Sequence, residues 1–93
     1  MTVRISADVL DKITKRNIRV IEIDQCFLNR DGGLCEDTRA HHLTSPITKW
    51  FVAETDKGRV LKIMYVPTPD GVDLKSAYEA TAEIVRIYEK YAK

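Results

Sequence analysis

Arg59, Lys62 and Lys75 carry positive charge through the middle and later part of the chain. Trp50 and Tyr78 bracket the same region with rings, and Arg39, His41 and His42 fall within one short polar stretch. Lysine and arginine held close together bind phosphate and stabilise negative charge as it develops. A histidine exchanges protons near neutral pH. A tyrosine does so when neighbouring cations favour its phenolate, and a tryptophan offers a face for a base to stack on. These residues therefore suit an anionic ligand. Each also has a structural use. Arg59 follows a turn and can be simply exposed, Tyr78 can close the edge of a core, Trp50 can pack, and paired histidines in a polar loop can be solvated.

Other chemistries find no foothold. His41 and His42 lack the spaced cysteine, histidine or carboxylate partners of a zinc site, so no metal is expected. There is no glycine loop for a nucleotide, no nucleophilic serine or cysteine motif and no carboxylate pair at telling spacing, so no cofactor is expected either. The formal net charge of the 93 residues is only +1, with 15 Lys and Arg against 14 Asp and Glu. An anion site must then come from local placement of cations, since the overall field is near neutral.

Length and balance point to one α+β domain with a modest core. The chain is 44% hydrophobic and 31% charged, an ordinary globular mixture. No apolar run approaches the roughly 20 residues that cross a bilayer. The first residues, Met1 to Ile5, have neither an apolar core nor a small-residue cleavage site, so the expected location is the cytoplasm. Cys26 sits among apolar residues and reads as a small core side chain, and Cys35 opens an expected strand. Two cysteines are no disulfide framework at this size.

These groups must be positioned by elements the pattern suggests. Val3 and Ile5 suit a short strand. Ser6 is a fitting N-cap, Asp8 complements the dipole, and Leu10 and Ile13 line a helix running to about Arg16. Asn17 tolerates the left-handed conformation that ends a helix. Residues 18–29 fit a second helix by length, stopped by Asp31-Gly32-Gly33. Leu34–Thr38 adds a possible strand. Thr48–Thr55, Arg59–Val66 and Val72–Tyr78 then form strands joined through Asp56-Lys57-Gly58 and the Pro67–Gly71 turn cluster. Thr81 caps a last helix with a stripe at Ile84, Ile87, Tyr88 and Tyr91. The expected architecture is an antiparallel sheet of about three to five strands with two or three helices on one face.

Side chains alternate between faces of a strand. Closing the first hairpin at Asp56–Gly58 sets Val52 opposite Lys62. Pairing Lys62 with Lys75 in the next hairpin would set Ile63 opposite Leu74 and Tyr65 opposite Val72. Phe51, Ala53, Leu61, Ile63, Tyr65, Val72 and Leu74 then form the core face. Trp50, Val52, Glu54, Val60, Lys62, Met64, Asp73 and Lys75 form the other. That second face is too apolar for free contact with water, which points to a cover. Two lysines directly opposite one another are unfavourable unless an anion or a carboxylate lies between them, with Glu54 and Asp73 as internal candidates; the face then either stays partly wet with solvated lysines or meets phosphate or an acidic partner.

Several segments occur in an order that resembles the BrnT-type toxins of bacterial toxin–antitoxin pairs, within the RelE-like ribonucleases. They are Lys15-Arg16-Asn17-Ile18, Glu36-Asp37-Thr38-Arg39, Thr55-Asp56-Lys57-Gly58-Arg59, Leu61-Lys62-Ile63-Met64-Tyr65 and Leu74-Lys75-Ser76-Ala77-Tyr78. The resemblance spans roughly residues 7–91. Arg16 and Asn17 stand where that family commonly has His and Gly, and Tyr78 stands where it has an arginine. The resemblance implies a RelE/BrnT-like fold and metal-independent cleavage of mRNA, in which a ribose 2′-OH attacks the adjacent phosphate. It implies Arg59, Lys62 and Lys75 as the cations, Tyr78 or His41 as proton carriers, and Trp50, Arg39 and His42 as contacts to RNA. It also implies a DNA-binding antitoxin as cognate partner, covering the open face in a higher-order assembly. Two other readings compete: a non-catalytic interaction module on the same scaffold, and, ranked lower, a small hydrolase of another class.

Overall fold

A computed structural model describes residues 1–38 and 46–92. Among them the elements are β1 (Thr2–Arg4), α1 (Ala7–Lys15), α2 (Val20–Asn29), β2 (Cys35–Glu36), β3 (Lys49–Glu54), β4 (Val60–Thr68), β5 (Gly71–Glu79) and α3 (Ala82–Ala92). The strands form one sheet in the order β1-β5-β4-β3-β2. The chain is thus α+β, as expected. No helix among the described residues is long and apolar enough to cross a membrane.

Local chemistry sets the element ends. Ser6 is extended, and its hydroxyl accepts the Val9 N–H at the start of α1. Asn17 takes φ 58°. The Ile18 N–H then donates back to the Ile13 carbonyl, closing the helix. Glu22 accepts the backbone N–H of Arg19 at 2.9 Å and so caps α2. Gly58, at φ 85°, turns β3 into β4, with the Thr55 N–H donating to the Arg59 carbonyl at 2.8 Å. Val52 lies opposite Lys62, as the loop length implies.

The next hairpin departs from expectation. Lys62 pairs with Tyr78, Ile63 with Ala77, Met64 with Ser76 and Tyr65 with Leu74, and the register shifts between Met64 and Tyr65. Lys75 is the extra residue, so the expected Lys62–Lys75, Ile63–Leu74 and Tyr65–Val72 pairs do not form. The reason is burial. Leu74 and Ala77, three positions apart, are 2% and 0% exposed, and plain alternation would send one of them to the opposite face. A one-residue bulge resets the alternation so that both enter the core.

The sheet is also not wholly antiparallel. β1 runs parallel to β5, with Thr2 beside Gly71 and Val3 beside Val72. Gly71 permits this approach, because a Cβ there would stand 1.9 Å from the Thr2 carbonyl oxygen.

α1 and α2 share the core face. Val9, Ile13, Ile18, Ile23 and Cys26 pack with the residues assigned to that face, from Phe51 to Leu74. Phe27 meets Phe51 and Tyr65 edge-on at 5.0 and 5.5 Å. α3 lies on the other face, where its Tyr88 ring sits 5.9 Å from that of Trp50. The Tyr88 hydroxyl donates to the Gly33 carbonyl at 2.7 Å, and the Gly33 N–H donates to the Ala92 carbonyl at 2.6 Å. α3 is therefore part of the cover that the apolar second face called for. A helical stripe shows which side of a helix is apolar and leaves open which sheet face it meets.

Candidate functional site

α3 packs against β2 and β3, and Trp50, Lys62, Met64, Ser76 and Tyr78 share the sheet face beyond it. Lys62 stands at the centre. It is only 8% exposed, and its ammonium lies 4.5 Å from the Trp50 ring centroid and 5.6 Å from that of Tyr78. Both are cation–π distances. Among the described residues no carboxylate pairs with it. An ammonium has three N–H donors, and rings satisfy them poorly. Beside it opens a depression of about 250 Å³, lined by Glu36, Asp37, Thr38, Trp50, Lys62 and Met64.

A second cation stands on the far side of Tyr78. β1 pairs with Gly71–Asp73, so among the described residues the later part of β5 has no strand beyond it. Arg16, the C-cap of α1, lies along that edge. It donates to the Ser76 hydroxyl at 3.2 Å and the Ala77 carbonyl at 3.0 Å, and its guanidinium carbon is 5.7 Å from the Tyr78 ring centroid. The site is thus a row of alternating rings and cations: Trp50, Lys62, Tyr78, Arg16.

Arg59 belongs to the scaffold that holds this row. Its Nε donates to Glu79 at 2.8 Å. Its other nitrogens donate to the Asn17 carbonyl at 2.6 Å, the Arg16 carbonyl at 3.1 Å and Glu22 at 3.3 Å. The guanidinium thereby satisfies the carbonyls of the C-cap Arg16 and of Asn17 just past α1, and fixes the backbone from which Arg16 projects. The bond to Glu79 leads the effects that raise the Arg59 pKa. Glu22 is held below the usual glutamate range, first by the Arg19 N–H and then by the Arg59 charge, against the opposing effect of burial.

Lys75, at the bulge, is exposed and lines a different depression with Ser6 and Val9 at the start of α1. It does not join Lys62. Tyr78 and Trp50 do, each half-buried. Arg39, His41 and His42 lie outside the described residues. Cys35, near Lys62, has its thiol pushed up by burial, with the lysine charge opposing.

Arg16 and Ser76 are the additions to the residues read from sequence. Arg16 was visible only as a residue near a helix stop, and its use depends on where β1 ends along β5. Chemically the row offers anionic groups a cation on each side of the Tyr78 ring. No family model, curated protein or solved structure matches the chain.

Proposed function

We propose that the chain is a RelE-like, BrnT-type toxin that binds single-stranded RNA on the part of the second sheet face that α3 leaves uncovered, and cleaves it without a metal. In this reading it acts in the cytoplasm and is held in check by a cognate antitoxin. The observation that carries it is the buried Lys62 ammonium, which has ring neighbours on two sides and no carboxylate partner among the described residues. Lys62 and Arg16 flank the Tyr78 ring and meet the RNA phosphates from its two sides, and bases lie against the ring edges that the cations leave uncovered. The order of the elements also supports it. Lys15–Ile18 ends α1, Asp56–Gly58 turns the first hairpin, and Leu74–Tyr78 lies on the strand before α3.

The reaction is transesterification. The ribose 2′-oxygen bonds to the adjacent phosphorus and gives up its proton, and the bond from phosphorus to the 5′-oxygen breaks as that oxygen gains one. Lys62 and Arg16 stabilise the added negative charge. Tyr78 is the proton carrier among the described residues, with His41 and His42 as further candidates.

One observation favours a binder that does not cleave: Arg59, expected among the catalytic cations, is fully engaged by the fold. A single assay separates the two readings. End-labelled RNA is incubated with the full chain in EDTA, and Trp50 fluorescence is followed in parallel; Trp50 is the only tryptophan. Quenching with cleavage to 2′,3′-cyclic phosphate ends, and a rate at least about a hundredfold lower in Tyr78→Phe, supports the toxin reading. Quenching with intact RNA supports the binder. No quenching and no cleavage overturns both.

A further inference from the structure

A groove of about 530 Å³ runs along the outer edge of β3, between the end of α2 and α3. β2 pairs with Lys49 and Trp50, so among the described residues Phe51–Glu54 has no strand neighbour on that side. This is about 13 Å of edge at roughly 3.3 Å per residue. Backbone direction alternates along a ladder. The Thr55 N–H goes to Arg59 on β4, while the Thr48 carbonyl accepts from Asp37 on the outer side. Val52 and Glu54 therefore point their backbone groups outward. The Glu54 carbonyl accepts from Asn29. Among the described residues nothing meets the Val52 N–H or carbonyl. Yet Val52 is 6% exposed, a place where backbone groups ordinarily have partners.

We propose that this edge takes an extended, basic segment of a partner protein, added to the sheet as a strand beside β3. The lining decides the charge of the occupant. Asp31 and Asp56 line the groove at the end of α2, while Glu54 and Glu89 line it on the α3 side together with Val52 and Val85. Side chains of an added strand point alternately to the two sides, so lysines directed toward α2 meet the aspartates while the intervening apolar residues, directed toward α3, meet the two valines. A second copy of this chain fits poorly, because edge-to-edge pairing would bring the Glu54 and Asp56 carboxylates of two molecules together. RNA fits worse, since its phosphates would face the same carboxylates. The groove is separate from the ring-and-cation row, and the proposal stands whether or not that row cleaves RNA.

The test titrates the full chain, labelled with ¹⁵N, with a short peptide of alternating lysine and valine, and with its glutamate–valine counterpart. The lysine peptide is expected to bind and to slow amide exchange at Val52 and Glu54 at least about tenfold. Its affinity is expected to fall at least about tenfold between about 0.05 M and about 0.5 M salt, and to fall similarly in the exposed double variant Glu54→Lys/Glu89→Lys. Circular dichroism of that variant confirms its fold. Equal binding of the glutamate peptide, or unchanged exchange at Val52 when the lysine peptide is saturating, overturns the proposal. So does Val52 protection that rises with protein concentration in the absence of peptide, which would mark the edge as a self-association surface.

Discussion

The Lys62 ammonium lies 4.5 Å from the centre of the Trp50 ring, on a diagonal of the β3–β4 ladder in which Trp50 faces Met64 and Val52 faces Lys62. A buried cation held by rings, without a carboxylate partner among the described residues, loses hydration that ring faces replace only in part. Lys62→Met is therefore expected to leave the unfolding free energy read from urea titration unchanged, or to raise it by up to about 1–2 kcal/mol. The same variant is expected to bind single-stranded RNA at least about tenfold more weakly by Trp50 quenching. A variant that is both less stable and unaltered in RNA binding would show Lys62 to be a scaffold residue.

Arg59 should behave in the opposite manner. Its guanidinium joins the end of α1 to Glu22 and Glu79. Arg59→Ala is expected to cost about 2 kcal/mol or more, read as a lower midpoint in urea. Arg59→Lys should recover less than half of the loss, because one ammonium cannot reach four acceptors in a planar fork.

Glu22 gives the fold an acid-sensitive joint. Its pKa is depressed in the folded chain, led by the Arg19 N–H, so its contribution is present above the ordinary glutamate range and disappears as pH falls through the folded value. Glu22→Gln is expected to be less stable than the parent near pH 7. The two curves should converge as pH falls from about 5 toward about 3. A constant gap across that range would mean that the Glu22 charge contributes nothing.

Structure was legible in the sequence where a few adjacent residues dictate geometry. Asp56-Lys57-Gly58 fixed the first hairpin, and with it the whole Val52–Lys62 register. Ser6 and Asn17 marked the ends of α1. It was not legible where distant segments compete. The Lys75 bulge follows from the joint demand of Leu74 and Ala77 for the core, which appears only once the opposing strand is in place. β1 joins β5 in parallel through a glycine that read simply as part of a turn. The same divide runs through the site. Trp50, Lys62 and Tyr78 were recognisable as chemistry-bearing residues, whereas their grouping with Arg16, and the removal of Arg59 and Lys75 from it, depend on strand edges and register.

Gly71→Ala tests the parallel strand directly. A methyl group there collides with the Thr2 backbone, the nearest atom at 1.9 Å. The variant should release β1 or strain β5, with a loss of about 2 kcal/mol or more. Amide exchange at Val3 should accelerate well before exchange in β3 and β4 does. Unchanged exchange at Val3 would show that the backbone absorbs the methyl group.

The two thiols should differ in reactivity. Burial, reinforced by Glu22 and Asp56, pushes the Cys26 thiol up to about 12. Cys35, half-buried, is raised as well. At pH 8 an aromatic disulfide reagent should modify Cys35 first and more slowly than a free thiol. Labelling of Cys26 in Cys35→Ser should keep pace with unfolding. Rapid labelling of Cys26 in the folded protein would contradict its placement beneath the sheet.

The parallel pairing of Thr2 with Gly71 also has a temporal side. On the ribosome, β1 is synthesised long before β5, the strand it pairs with. It must wait unpaired while α1, α2 and the β3–β4 hairpin emerge from the exit tunnel. Docking this strand is a late event in the life of a nascent chain, and closing so long a loop makes it an intrinsically slow one.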